Sequence, residues 1–409
     1  MGLARDVKKA GELFRKALAA RQAKRDLRAA FAAGPPHPAR HYRIAVYFAD
    51  GEVNMYQVRQ WYRPLAGLAE RWPVVVLARN ATGAAALLHD DALPVAYVPG
   101  VGDMERFLAA QDIRIVLYVN QNTRNFQMFR YGQRWHVFIN HGESDKMYMT
   151  TNQFKAYDVA LVAGQAARER LSRTLWDYDV DRRTIEIGRP QADHYEGEVP
   201  FEADERTVVL YAPTWEGDRP AARYGSVRSH GEALVSALLA TGRHRVIYRP
   251  HPRSGVVDPE FGAANQRIIQ ALRAANEADP RAQHVFDDGP DVGWQLAAAD
   301  VAVVDISAMI YDRLATGRPL LVARPADAAA EVDEGGYLSA CEWLRAEDAG
   351  DIVAEVDRVR RDPLAAERLS HWVGHYFGDT APGAATARFH AAIGQLMDRW
   401  DDWNARSQG

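Results

Sequence analysis

The stretch "ADVAVVDISAMIYDRLATGRPLL" (residues 299–321) holds one full unit of the fold: strand, tight turn, helix, strand. The run from Val301 to Val304 is apolar without alternation, as expected of a strand buried on both faces of a parallel sheet. Asp305 ends that strand as a candidate contact for the bound ligand, and Ser307 is a preferred residue for capping the helix that follows. A helix N-terminus with a serine hydroxyl and the free backbone N–H groups of Ser307 and Ala308 suits a phosphate. Asp312 lies further along the same helix. Two readings of it are open: it reaches a ribose hydroxyl, or it pairs with Arg313 or Arg318.

The same grammar extends outward in both directions. Upstream, "RTVVLYAP" (206–213), "HRVIYRP" (244–250) and "AQHVF" (282–286) read as strands, as does "PLLVA" (319–323) at the far end. Helical spacing connects them near 230–240, 257–276, 291–299 and 307–316. An earlier set has the same character: "RIAVYF" (43–48), "PVVVLA" (73–78), "IRIVLYV" (113–119), "WHVFIN" (135–140) and "YDVALVA" (157–163), closed by "TIEIG" (184–188). The acidic "EGEVPFEADE" (196–205) is the expected linker. Two successive β/α runs imply an α/β protein with two doubly wound, Rossmann-like domains, residues 41–200 and 201–375, whose ligand site faces the carboxyl ends of the strands. Residues 346–404 read as helices. The last of them, within 376–409, carries Phe389, Ile393, Met397 and Trp400 at helical spacing and is expected to pack back across the junction.

Composition bounds the function. The 409 residues are 47% hydrophobic and 25% charged, ordinary for a globular protein of two domains. A formal charge of -4 argues against a dedicated nucleic-acid binder, despite the aromatic and arginine-rich "NQNTRNFQMFRYGQRW" (120–135), which reads as a polar loop and helix near the acceptor cleft. A single cysteine, Cys341, supports neither a disulfide framework nor a cysteine-based zinc site. "DYD" (177–179) is a weak candidate for paired metal carboxylates, and no metal is expected. No apolar run approaches a membrane span, and the N-terminus lacks a secretory signal's apolar core, so a cytoplasmic protein is the expectation.

Residues 1–40 stand apart as a helix and its linker. Leu3, Val7, Ala10, Phe14 and Leu18 share one helix face, and nine Lys and Arg between Arg5 and Arg28 oppose Asp6, Glu12 and Asp26. "GPPHP" (34–38) ends the helix. Such a basic amphipathic helix either lies on an anionic membrane surface, at the inner face of the membrane, or packs on its own protein.

Three more motifs follow strands. In "INHGESDK" (139–146), His141 is placed as a general base, with Gly142 and Lys146 on the acceptor side. In "YAPTWEG" (211–217), Pro213 ends a strand and Thr214 opens the donor-side loop. In "YRPHPRSG" (248–255), Arg249 offers a planar fork to phosphate or pairs with a carboxylate, and His251 between two prolines can stabilise charge on a leaving phosphate.

"NHG", "YAPTW", "RPHP" and "DISAMIYD…GRP", with "GRPQAD" (188–193) between the halves, resemble in order and spacing the CDP-glycerol glycerophosphotransferases of teichoic-acid and capsule polymer synthesis, over roughly residues 130–325. The resemblance implies a GT-B fold with the donor in the C-terminal domain, His141 as base and His251 against the donor phosphates. It places the family's paired serines at Ser307 and Ala308. Two positions depart from the pattern: Ala308 lacks the second hydroxyl, and Glu216 stands where the family often has arginine. The expected reaction moves a polyol phosphate from a CDP-polyol, or another nucleotide-diphosphate donor, to a lipid-linked or polymer acceptor and releases CMP. Rival readings are a GT-B glycosyltransferase using a nucleotide sugar and a catalytically weakened membrane-surface relative.

Overall fold

The computed structural model describes residues 18, 21–27, 29–30, 37–143, 150–289, 292–333 and 335–408. Two parallel sheets account for its strands. The first takes β1 (Ile44–Phe48), β2 (Val74–Ala78), β3 (Val95–Tyr97), β4 (Ile115–Tyr118), β5 (Trp135–Phe138), β6 (Val159–Val162) and β7 (Thr184–Glu186), in the order β3-β2-β1-β4-β5-β6-β7. The second takes β8 (Thr207–Ala212), β9 (His244–Tyr248), β10 (Val285–Phe286), β11 (Val301–Val304), β12 (Leu320–Ala323) and β13 (Trp343–Leu344), in the order β10-β9-β8-β11-β12-β13.

Side chains on successive strand residues point to opposite faces, so an all-apolar strand feeds two cores at once. In β1, Ile44, Val46 and Phe48 enter one hydrophobic cluster while Ala45 and Tyr47 enter another. In β8, Val208, Leu210 and Ala212 are divided in the same way from Val209 and Tyr211. Both sheets are therefore covered on two faces, the doubly wound architecture read from the sequence.

The strand orders fix where ligands belong. In the first sheet β2 and β3 lie on one side of β1, and β4 starts the other side. In the second, β9 and β10 lie on one side of β8, and β11 starts the other. Each reversal leaves a crevice beyond the carboxyl ends of the two central strands.

The C-terminal helix Ala384–Gln408 returns to the first half. Its Phe389, Ile393, Leu396 and Met397 are buried in the same cluster as β1, and the Phe389 ring lies 5.2 Å from that of Trp61. Gly188, just after β7, makes this docking feasible. Its φ of +71° favours glycine, and a Cβ there would crowd the Phe377 carbonyl and the Ala385 Cβ, both 3.0 Å away.

Of the basic N-terminal helix, Leu3, Val7, Ala10 and Phe14 lie outside the described residues. Residues 21–27 are helical, and Ala23 and Leu27 are buried against the first half's core, so this end packs on its own protein. Leu18 is exposed. No helix among the described residues is long and apolar enough to cross a membrane.

Candidate active site

In the second half, the crevice lies between β8 and β11. Thr214 follows β8, and Asp305 and Ser307 follow β11. Ser307 caps the helix Ala308–Leu314, its Oγ accepting the Met309 N–H at 3.3 Å, and Ala308 is exposed at the first turn.

Asp305 does not face a ligand. It is 0% exposed, and its Oδ2 accepts the backbone N–H of Thr214 at 2.7 Å and of Ser226 at 3.0 Å. The expected donor contact is replaced by a structural one, in which a strand-end carboxylate ties two loop segments to the sheet. Burial drives its pKa up to about 7, against the pull of those donors.

Of the two readings of Arg249 one is realised, and Asp312 finds a partner that neither of its readings named. The Arg249 fork is taken by the Asp287 carboxylate and by the Gly289 carbonyl at 3.0 Å, so the ion-pair reading describes it rather than a free phosphate clamp. Asp312 pairs with neither Arg313 nor Arg318. Arg313 is buried and donates to the carbonyls of Leu296, Ala299, Asp300 and Pro319, stapling the β11–helix–β12 unit together. Asp312 instead meets Arg189 of the "GRPQAD" motif.

That contact joins the halves. Arg189 is buried. Besides Asp312, it donates to the Tyr195 hydroxyl at 3.1 Å and to Gln60 Oε1 at 3.5 Å. Tyr195 in turn donates to Asp312 at 3.4 Å. Arg189 Nη1 lies 3.8 Å from where a Cβ of Gly142 would sit, so the candidate base His141, the residue before it, stands beside this junction.

His141 follows β5 by way of Asn140, whose φ of 55° turns the chain sharply. The Asn140 carbonyl is held by Trp61 Nε1–H at 2.5 Å. His141 Nδ1 lies 2.9 Å from the Val119 carbonyl. A carbonyl only accepts, so Nδ1 carries the proton and Nε2 keeps a lone pair. Burial lowers its pKa below 6.5 despite the opposing Val119 bond, Arg189 lowers it further, and Asp312 opposes weakly. The ring is therefore neutral at pH 7, as a base must be.

His251 is held the other way round. The Arg253 N–H donates to its Nδ1 at 3.1 Å, leaving Nε2–H as the outward donor. Burial and then Arg253 lower its pKa, while Glu216 opposes them. A neutral Nε2–H can donate to a phosphate oxygen without a change of charge.

Glu216 has a role of its own. Its carboxylate accepts the backbone N–H groups of Gly255 (2.9 Å), Val257 (2.7 Å) and Asp258 (3.0 Å), fixing the loop that follows His251. Above this loop Arg253 stacks on Trp215 at 3.7 Å. The departure from arginine thus organises the loop bearing the histidine.

Lys146 lies outside the described residues. Gly142 follows His141, and Glu143 next to it forms a buried ion pair with Arg170, anchoring the His-Gly turn to the helix Gln165–Thr174. Among the described residues no group of three His, Cys, Asp or Glu is placed to hold a metal ion. In "DYD", Asp179 caps a helical turn by accepting the Arg182 N–H at 3.0 Å. Sequence reading quoted Arg189 inside its motif without a role and did not single out Tyr195, Gln60, Glu143 or Arg170. The one local signal was an arginine held between Gly188 and Pro190 at a strand end.

Two Rossmann-like halves with polar residues gathered at both switch points define a protein of GT-B fold. The family profile for CDP-glycerol:poly(glycerophosphate) glycerophosphotransferase matches residues 136–344, just over half of the chain, and the protein belongs to that family. Solved structures of similar fold include the wall teichoic acid polymerase TagF soaked with CDPG (11% identity, TM-score 0.56, covering 98% of this chain and 99% of that one). Another is a UDP-N-acetylglucosamine 2-epimerase (11% identity, TM-score 0.50, covering 84% and 93%). At these identities the likeness is one of fold. A search of curated proteins finds no match.

Proposed function

We propose that this transferase moves a polyol phosphate, glycerol phosphate in the first instance, from a CDP-activated donor to a hydroxyl of a polymer or lipid-linked acceptor, releasing CMP. Residues 41–200 form the acceptor half and 201–375 the donor half. The donor diphosphate rests near Ser307 and the exposed first turn at Ala308, opposite His251. Nε2 of His141 removes the proton of the acceptor hydroxyl, whose oxygen attacks the distal phosphorus in line. The bond from that phosphorus to the CMP oxygen breaks. His251 Nε2–H donates to the departing phosphate, and the proton stays on His141 until solvent takes it.

The observation that carries this reading is the pair of histidines, each after a strand's carboxyl end, one with an open lone pair and the other with an open N–H. Asp312 and Arg249 act indirectly, Asp312 by closing the halves through Arg189 and Arg249 by bracing the loop at Asp287.

A thermal-shift screen with CDP-glycerol, CDP-ribitol, CMP, UDP and GDP tests the donor class, because a ligand that binds the folded state raises the melting temperature. Stabilisation by cytidine nucleotides, followed by CMP release with a glycerol phosphate acceptor, is the expected result. Stabilisation by UDP or GDP alone would assign the fold to a nucleotide-sugar enzyme. In the same reading the basic segment 1–33 holds the enzyme at the cytoplasmic face of the membrane. Its deletion is expected to weaken co-sedimentation with anionic liposomes, and unchanged sedimentation would refute it.

A further inference from the structure

At the first sheet's switch point, beyond β1 and β4, a polar cluster lies outside the transfer step as described. Asp50 follows β1 and collects three side-chain amides. Asn54 Nδ2 donates to Oδ1 at 2.9 Å, and Asn120 and Asn122, both after β4, donate to Oδ2 at 2.9 and 2.8 Å. Asn120 also donates to Gln57 Oε1 at 2.6 Å, and Gln57 donates to the Tyr56 hydroxyl at 3.1 Å. The Tyr56 ring stands edge-on to His141, centroids 5.7 Å apart. His141 is itself bonded to the carbonyl of Val119, the residue before Asn120. The cluster and the candidate base thus belong to one connected network.

The valences select the ligand. Each carboxylate oxygen can accept two hydrogen bonds. Oδ2 of Asp50 is filled by two amides, whereas Oδ1 holds one and keeps room for another. Asn54 and Asn122 each use one amide hydrogen on Asp50, which leaves each a second. Gln57 and Asn120 are buried and brace the carboxylate, while Asp50, Asn54 and Asn122 remain partly exposed. An open carboxylate lone pair flanked by amide donors complements hydroxyls, which both donate and accept. The same negative charge repels a phosphate.

We propose that Asp50, Asn54 and Asn122 bind the terminal hydroxyls of the polyol acceptor and present one of them to Nε2 of His141, with Asn120 and Gln57 as positioning residues. The proposal rests on the transferase reading and adds the acceptor subsite to it. The cluster binds the diol end of the acceptor, and the acceptor's own phosphates lie away from Asp50.

The probes are two synthetic glycerol phosphate trimers, one ending in free glycerol and one in a phosphate monoester. Calorimetric titration of the full-length protein is expected to detect the diol-ended trimer and not the phosphate-ended one, with binding retained in His141→Ala. In steady-state assays Asp50→Asn and Asn122→Ala are expected to raise the acceptor KM by about ten-fold or more, the loss expected of a hydrogen bond in a charged site, with the KM for CDP-glycerol and the melting temperature unchanged. Asn122→Ala keeps the test alive if Asp50→Asn fails to fold. Unchanged acceptor KM in a folded, active variant overturns the subsite, as does equal binding of the phosphate-ended trimer or a parallel loss of donor affinity. A wild-type protein that binds the diol-ended trimer yet releases no CMP from CDP-glycerol would sink the transferase reading and uphold the subsite.

Discussion

Arg189 and Asp312 come from opposite halves of the molecule and form one ion pair, their side chains only 7% and 16% exposed. Removing one partner strands the other charge in a poorly solvated place. Arg189→Met is therefore expected to cost about 3–5 kcal/mol in urea unfolding, more than replacing both residues with apolar ones. A double-mutant cycle with Asp312→Leu should return a coupling of roughly 1 kcal/mol or more. Simple additivity of the two losses would show that the pair does not join the halves.

The same pair should modulate the pH dependence of turnover. A general base works when unprotonated, and burial with Arg189 holds His141 below 6.5, so activity should fall on the acid side only below that value. Arg189 lowers the pKa and Asp312 raises it. Arg189→Met should thus move the acid limb of the pH–rate profile to higher pH, and Asp312→Asn should move it lower. Shifts in the same direction for both variants would uncouple His141 from the pair.

The two histidines should separate kinetically. His141→Ala is expected to lower kcat by about 10²–10⁴-fold, the usual worth of a positioned base, with CDP-glycerol affinity nearly intact. His251→Ala removes the N–H proposed to meet the leaving phosphate and should cost about 10²–10³-fold in kcat. Normal turnover with lost nucleotide affinity in His141→Ala would contradict the base role.

Two buried carboxylates near His251 should respond oppositely to pH. Asp305 has its pKa raised by burial from 3.8 to about 7, so its contribution to stability is complete below pH 3.8 and is lost as pH rises through 7. In Glu216 burial opposes ionisation, but backbone N–H donors outweigh it and hold the pKa below 4.5. Its contribution is present above 4.5 and is lost as pH falls through the folded value. In melting curves from pH 4 to 8, wild type should lose ground to Asp305→Asn as pH rises, and its advantage over Glu216→Gln should shrink at the acid end. A flat difference for Asp305→Asn across this range would refute the raised pKa.

The strands were legible because parallel, doubly covered strands are written as unbroken apolar runs. β3 and β13 were not, since Val95–Tyr97 and Trp343–Leu344 are short edge strands with too few residues to establish a period, and Pro94 precedes the first. Motif positions were legible for the same reason as the strands: Thr214, His251, Ser307 and His141 all fall just beyond strand ends. The roles of Arg249, Asp305 and Asp312 were not, because their partners Asp287, Ser226 and Arg189 come from other elements, and local pattern says nothing about which distant charge a side chain will meet. The Asp50 cluster was hidden for a similar reason, its amides being supplied by two separate loops that only the β1–β4 pairing brings together.

The return of helix Ala384–Gln408 to the first half reorders the protein's birth. On the ribosome the first sheet emerges early, but the apolar face later covered by Phe389, Ile393 and Met397 stays bare until those residues, beyond the whole second sheet, have been made. The half translated first is thus completed only after its successor has been made, and the second half can close its own two cores while its elder neighbour waits.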